Sequence, residues 1–430
     1  MIRILIVSRT PWDDSNSFGN TFSNLFGGME GVEIYNICCQ TGDNNNNIVK
    51  AAYQMTDTSV LKSLKGEQSG HKMWQQAQQK ISEQTEICFP RQRLTIFYIC
   101  REILWKIGRW KSKSLENFIK DIKPDFLYLP IYHSGYVCDV QLFAIRKSHV
   151  PYCVHITDDV YTHPPTPLLT PLKSLYHLWV SRKIRQLIKS ARYGEAFAES
   201  MVEEYPRHYG IPFYLIGKGI APTSMPRKIT LEQDLSEMNF VYTGNYGGER
   251  GQQLVILAKE INNHLIRRDK KAVFSIYSNT VVEDKIKTAL SQYSFVKLYK
   301  GVDSVQVYKI QKNANFLIHV EGFSKKAIAE TRMSFSTKLI DYMSTMKPII
   351  AIGPSNINSI EVLKRYGLAY IATNRAEIGA ILDRIMDRNL QEERKIQQNV
   401  IAYLNSYRNL NTIQKSIYER LKSTLENAHA

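Results

Sequence analysis

Two doubly wound parallel α/β domains, facing each other across a cleft, are what this sequence predicts. At 430 residues the chain is too long for one ordinary core. Short apolar runs alternate with helical patterns in both halves, and a stretch rich in turn residues separates the two series.

The first run, at 4–7 in MIRILIV, reads as a strand. It is too short, and too soon followed by the polar SRTPWDDSNS, for a secretory signal or a membrane span. Strands at 32–37, 126–130, 152–156 and 213–216 follow, with helical patterns at 21–26, 142–146 and 172–190. Between 40 and 92 the alternation dissolves into polar sequence, including Asn44 to Asn47, which reads as an insertion of loops and helices. A second series opens at Phe240 and continues with strands at 273–277, 295–299, 316–320, 349–352 and 369–371. The predicted division is 1–218, a linker at 219–237, 238–405, and a charged helix at 406–430 that can cross back to brace the first domain.

Hydrophobic residues at 43%, with 11% aromatics, exclude wholesale disorder. The 56 Lys+Arg against 40 Asp+Glu give +16, which calls for an anionic partner: nucleic acid, anionic lipid or a phosphorylated substrate. Nucleic acid ranks below lipid, because no helix-turn-helix or RNP-type motif is present and the cations cluster with bulky apolar residues. In RLTIFYICREILWKIGRWKSK (93–113), Phe97, Trp105 and Trp110 stand among Arg101, Lys106, Arg109 and Lys111. This reads as an amphipathic surface helix for an anionic membrane, or else as a packed helix with a solvated basic face. Residues 172–189 form a weaker candidate of the same kind. The six cysteines show no CxxC pair and no zinc-ligand spacing, as expected of reduced core thiols in a cytosolic protein. No run of eighteen apolar residues is present, so the expectation is a cytoplasmic protein, soluble or peripheral on the inner face of the cell membrane.

The most informative stretch is FSTKLIDYMSTMKPIIAIG, from Phe335 to Gly353. Ser336 and Thr337 can cap a helix with Leu339, Ile340, Met343 and Met346 on its apolar side, and Lys347-Pro348 stops it before a buried strand. Free amides and the positive dipole end make Ser336-Thr337-Lys338 a phosphate site, to which Lys338 adds a full charge. Asp341 lies one turn further, within reach of a ribose hydroxyl. The bland alternative is a capped helix with a solvated lysine.

This run resembles the nucleotide-sugar segment of GT-B glycosyltransferases, especially glycosyltransferase family 4 and its bacterial surface-polysaccharide members. The family pattern E-x-F-G-x-x-x-x-E-A-M-A-x-G-K-P places Asp341 at the second Glu, which holds the donor ribose, and Met333 at the first, which approaches the sugar. Met333 cannot make that polar contact. FVYTGNYGGERG (240–251) resembles the family's F-x-G-R-x-x-x-E-K-G: Gly244, Glu249 and Gly251 match, Arg250 stands at the Lys that grips the diphosphate, and Asn245 replaces the Arg. In the first domain, SRTPWDDSNSFGN occupies the loop near phosphate and acceptor, with Gly19 and Asn20 as candidates. YCVHITDDV resembles the strand and loop that carry a cleft-facing His, here His155 or, in another register, Thr157, followed by Asp158 and Asp159.

The resemblance implies two Rossmann-like domains and transfer of a hexose from a nucleotide-diphosphate sugar to a saccharide or lipid-linked acceptor in polysaccharide biosynthesis. It implies Lys338, Arg250 and His155 as catalytic groups, retaining chemistry that needs no protein nucleophile, and neither metal nor cofactor. His155 has a satisfied core position as its alternative, and Asp158-Asp159 read as hydroxyl-binding or structural rather than metal-binding. His319 and Glu321 are secondary candidates for the transferred sugar. Met333 and Asn245 leave open a degenerate protein that binds nucleotide sugar or a partner without catalysis. An epimerase on the same fold is not favoured, because Met333 takes the place of the carboxylate it needs.

Overall fold

A computed structural model of the chain describes residues 1–74, 95–161, 171–229, 231 and 236–429. It divides into unit 1, Met1–Gly217 with Thr412–Ala430, and unit 2, Lys218–Asn411.

Unit 1 runs β1 (Ile2–Ser8), α1 (Ser17–Phe26), β2 (Val32–Cys38), β3 (Val49–Gln54), α2 (Asp57–Ser63), β4 (His71–Trp74), α3 (Thr95–Ile107), α4 (Lys113–Ile122), β5 (Phe126–Pro130), α5 (Gly135–Ser148), β6 (Tyr152–Ile156), α6 (Pro171–Lys189), β7 (Gly194–Ala196), α7 (Glu199–Tyr209) and β8 (Phe213–Leu215). Its eight strands lie in the order β4-β3-β2-β1-β5-β6-β7-β8, all neighbours parallel except β3 and β4. β5 and β6 are buried at every position, which is why they read as continuous apolar runs: helices cover both faces of a parallel sheet.

Unit 2 runs β9 (Glu237–Thr243), α8 (Arg250–Arg268), β10 (Lys271–Ser278), α9 (Asp284–Ser291), β11 (Val296–Lys300), α10 (Ser304–Lys312), β12 (Phe316–Val320), α11 (Lys325–Thr331), α12 (Thr337–Ser344), β13 (Ile349–Ile352), α13 (Asn358–Tyr366), β14 (Tyr370–Ala372), α14 (Glu377–Asp387) and α15 (Leu390–Tyr407). Its six parallel strands lie in the order β11-β10-β9-β12-β13-β14 around a core that includes Phe240, Phe274, Phe316 and Ile350.

The last helix, α16 (Leu410–His429), begins in unit 2, and its residues from Thr412 onward belong to unit 1. Ile417 and Leu421 are fully buried in the unit 1 core with Ile4, Phe22 and Phe126. Gln414 Nε2 donates to the Leu25 and Gly27 carbonyls (3.2 and 2.8 Å), and Arg420 donates twice to Glu195 Oε1 (3.1 and 2.6 Å).

Several expectations are corrected. The polar insertion carries two strands, β3 and β4, that extend the sheet; Ala51 and Ala52 are weak strand formers, and packing rather than propensity fixes them. Its remainder, 75–92, which includes Cys88, lies outside the described residues. The described residues of the expected linker fall within unit 2 of the two-unit division. Trp105 and Trp110 are buried rather than turned to a surface, since each indole has an internal acceptor: Asp57 Oδ1 (2.8 Å) and the Trp105 carbonyl (2.6 Å).

Candidate functional site

In unit 2 the strand after β9 is added on one side and β12 on the other, so the strand order reverses between β9 and β12. At such a switch point the loops leaving the carboxyl ends of the strands part and leave a crevice. A cavity of about 460 Å³ opens there. Its wall includes Thr243, Gly244 and Asn245 at the end of β9, Tyr277 to Thr280 at the end of β10, Gly301 after β11, Lys218, and Lys338 and Asp341 from α12.

Local chemistry explains each part of that wall. Thr243 is held by the buried Tyr342 hydroxyl, which accepts from the Thr243 amide (3.1 Å), and by Gln311 Nε2, which donates to Thr243 Oγ1 (3.0 Å). The Tyr242 hydroxyl donates to the Asn245 carbonyl (2.6 Å), and a Cβ at Gly244 would lie 2.4 Å from the same hydroxyl oxygen, so only glycine fits the turn. The Tyr277 ring stacks on Tyr299 at 4.6 Å between centroids, and Asn279 packs against Gly301.

At the head of α12, Ser336 occupies the N-cap position but its side chain caps no amide, a correction to the expected Ser cap; its own amide donates to Ser359 Oγ (3.2 Å). Thr337 and Lys338 form the first turn, where amides have no carbonyl one turn back. Asp341 accepts from Lys218 Nζ (2.6 Å), so its partner is a cation that sequence spacing did not suggest. Arg250, first residue of α8, donates through Nη2 to Glu321 Oε2 (2.7 Å) and through Nη1 to Asn245 Oδ1 (3.1 Å). Glu249 sits just before α8 with φ 66° and accepts from the Ser324 amide (3.1 Å); the Ser324 hydroxyl and then, against burial, that amide hold its carboxyl below the usual range.

Two of the three local cations are thus matched by acids. Lys338 has no hydrogen-bond or ion-pair partner among the described residues. Its side chain reaches solvent, yet lost hydration in the concave wall, then Arg250, hold its pKa below the usual lysine value against the pull of Glu321 and Asp341. Burial pushes the Glu321 carboxyl up, opposed by Arg250 and Lys338. His319 is brought down to about 3 by burial, then by the same two cations, and is neutral at pH 7. Its Nε2 lies 3.6 Å from Glu321 Oε1. Met333 is fully buried and presents nothing polar.

Unit 1 departs further from expectation. His155 is a core residue and not a cleft group: Phe22 and Phe197 pack edge-on against it, and burial depresses its pKa to about 3. Tyr128 gives its one hydroxyl proton to Glu195, which leaves His155 Nδ1 as donor to the Tyr128 oxygen (2.8 Å). Gly19 lies in the first turn of α1 rather than in a loop, where its amide donates to Asn16 Oδ1 (2.8 Å) and a Cβ would lie 2.0 Å from the Asp13 carbonyl. Asn20 is exposed on the same helix. Asp159 accepts from the Tyr205 hydroxyl (2.8 Å) and the Tyr161 amide (2.9 Å), while Asp158 is exposed beside it. Among the described residues no cluster of three His, Cys, Asp or Glu side chains could hold a metal ion.

No protein-family model and no curated protein sequence matches the chain. Solved structures do. Anabaena Alr3699/HepE, in complex with UDP and glucose, is 11% identical with a TM-score of 0.61, over 98% of this chain and 100% of that one. A trehalose 6-phosphate synthase from Burkholderia multivorans is 10% identical with a TM-score of 0.60 (100% and 98%), and a glycosyltransferase from Rickettsia africae ESF-5 is 12% identical with a TM-score of 0.60 (99% and 99%). At such identities the likeness is one of architecture, and it covers both units: the chain has the GT-B fold.

Proposed function

We propose that this protein is a glycosyltransferase that moves a hexosyl group from a nucleoside diphosphate sugar to a saccharide or lipid-linked acceptor in polysaccharide assembly, with retention at the anomeric carbon. The observation that carries the reading is an unpaired lysine on the first turn of α12, inside a cavity at the switch point of a parallel sheet. The HepE structures, which hold UDP, UDP with glucose, or UDP-glucose, support the same donor chemistry.

In this reading the diphosphate lies against the α12 amides and Lys338, and the Gly244 turn lets it approach the backbone. Asp341 accepts from the ribose, and Lys218 holds its carboxylate in place. Arg250 adds a second cation whose guanidinium is aimed by Glu321, so charge developing on the departing diphosphate meets groups already in position. The acceptor hydroxyl attacks the anomeric carbon on the face that the diphosphate leaves, and its proton passes to a diphosphate oxygen. No metal or cofactor enters the scheme, and the protein works in the cytoplasm or at the inner face of the membrane.

A second reading, binding of the sugar nucleotide without transfer, has one observation in its favour: buried Met333 supplies no carboxylate to the sugar. Thermal shift with a panel of nucleoside diphosphate sugars, followed by transfer and hydrolysis assays with the best stabiliser, separates the two. Turnover supports the enzyme, and stabilisation without turnover supports the binding protein. No stabilisation by any donor, or equal stabilisation in Lys338→Ala and Asp341→Ala, overturns the site.

A further inference from the structure

Helices α3 and α6 adjoin in unit 1: the Tyr176 hydroxyl donates to Glu102 Oε1 (3.1 Å), and Tyr98 stacks with Tyr176. Each turns one flank inward. Glu102 and Trp105 are the buried positions of α3, and Val180, Ile184, Leu187 and Ile188 those of α6. On α3 the opposite flank carries Ile96, Cys100, Ile103 and Ile107 at i, i+4, i+7 and i+11, all exposed, with Ile103 at 53% and Ile107 at 59%. On α6 the outer flank carries Leu172, Leu175 (65%) and Leu178 (60%). Isolated exposed apolar residues are ordinary, but two helical stripes on touching helices are not.

Charge identifies what covers them. The two helices contain a single acidic residue, Glu102, and it is buried; Lys106, Lys173, Arg182, Arg185 and Lys189 are exposed. Neither helix is long and apolar enough to cross a membrane. A flank with apolar side chains standing out and long cationic stems beside them matches a layer whose acyl region takes up the former and whose anionic headgroups bind the latter. A water-soluble protein partner of mixed charge would leave most of those cations unmatched.

We infer that the α3–α6 flank docks on the surface of an anionic lipid bilayer, with Ile103, Ile107, Leu172 and Leu175 entering the headgroup–acyl boundary. The inference goes beyond the transfer reaction and is independent of it, because these residues lie in unit 1 and the donor cavity in unit 2.

The test is co-sedimentation of the full chain with large unilamellar vesicles of phosphatidylcholine, with and without phosphatidylglycerol. Binding is expected to need phosphatidylglycerol and to fall with added salt. Each neutralised cation among Lys106, Lys173 and Arg182 (to Gln) is expected to weaken partition on the order of fivefold. The variant Ile103→Ser/Ile107→Ser/Leu175→Ser should weaken it by about tenfold or more. These positions are exposed, so the variant keeps its unfolding midpoint and any nucleotide-dependent thermal shift. No binding of the wild-type chain to anionic vesicles, or equal binding by the serine variant, overturns the inference. So does a stable dimer in light scattering that the serine variant dissolves, since a second copy would then be the occupant.

Discussion

Lys338 faces an open cavity with no partner among the described residues, whereas Met333 is sealed in the core. Lys338→Ala is therefore expected to lower kcat on the order of 10²- to 10³-fold and to abolish stabilisation by the donor, read by steady-state kinetics and thermal shift. Met333→Glu would bury an unpaired carboxylate and is expected to cost about 3 kcal/mol or more in urea unfolding, without gain in activity. Equal stability with tighter donor binding would show that the sugar reaches position 333. Glu102 makes a separate prediction. Burial pushes its carboxyl from 4.5 to about 7, opposed by hydrogen bonds from the Gly135 amide and Tyr176 and by Lys183, with Asp139 acting with burial. The folded state then holds a proton that the unfolded chain has released. This stability is fully present below pH 4.5 and is lost as pH rises through 7. Glu102→Gln keeps both acceptor bonds and should flatten about 3 kcal/mol of pH dependence between 4.5 and 7. Buried His155 and His319, held near 3, act oppositely: their contribution is complete above 6.5 and falls as pH drops. Glu102→Gln with an unchanged stability profile would refute the assignment. Lys338 and Asp341 were legible because a helix start and a Lys-Pro stop bracket them at fixed spacing. The partners of Asp341 and Arg250 were not, because Lys218 and Glu321 reach them from distant segments that no local pattern connects.

At the scale of the element, α16 was legible as a charged helix that can cross back to the first domain, but what fastens it was not. Arg420 and Glu195 are 225 residues apart, and a buried acid in a three-residue strand gives no periodic signal. Glu195 is fully buried and Arg420 partly so, with the Arg420 guanidinium over Tyr214 and Tyr193. Arg420→Met leaves Glu195 uncompensated and is expected to destabilise unit 1 by about 3–5 kcal/mol, whereas Arg420→Met with Glu195→Gln should recover most of that loss. Urea denaturation followed by Trp fluorescence measures both, and a double variant no better than the single one would show that packing, not charge, holds the helix. The strands β5, β6, β12 and β13 were legible at their true bounds because burial on both faces makes them uninterrupted apolar runs. β3, β4 and β7 were not, since they are short, polar or alanine-rich and owe their pairing to neighbours.

Over the whole molecule, the two-unit plan could be read from the βα alternation alone, and the placement of Thr412 onward in unit 1 follows from the division by packing. The chain passes from unit 1 to unit 2 at Gly217 and returns after Asn411. A chain ending at Asn411 is expected to keep donor-dependent stabilisation of unit 2, while unit 1, lacking Ile417, Leu421 and Arg420, exposes apolar surface and loses its cooperative transition; dye binding and calorimetry report each. The same return crossing sets an order of events during synthesis. Ile4 and Phe22 leave the ribosome before unit 2 is made, but their packing partners on α16 follow only after it. Limited proteolysis of ribosome-stalled chains should find unit 2 resistant while unit 1 is still cut. The unit whose strands are translated first is thus expected to close last, once α16 has followed the whole of unit 2 and sealed its sheet.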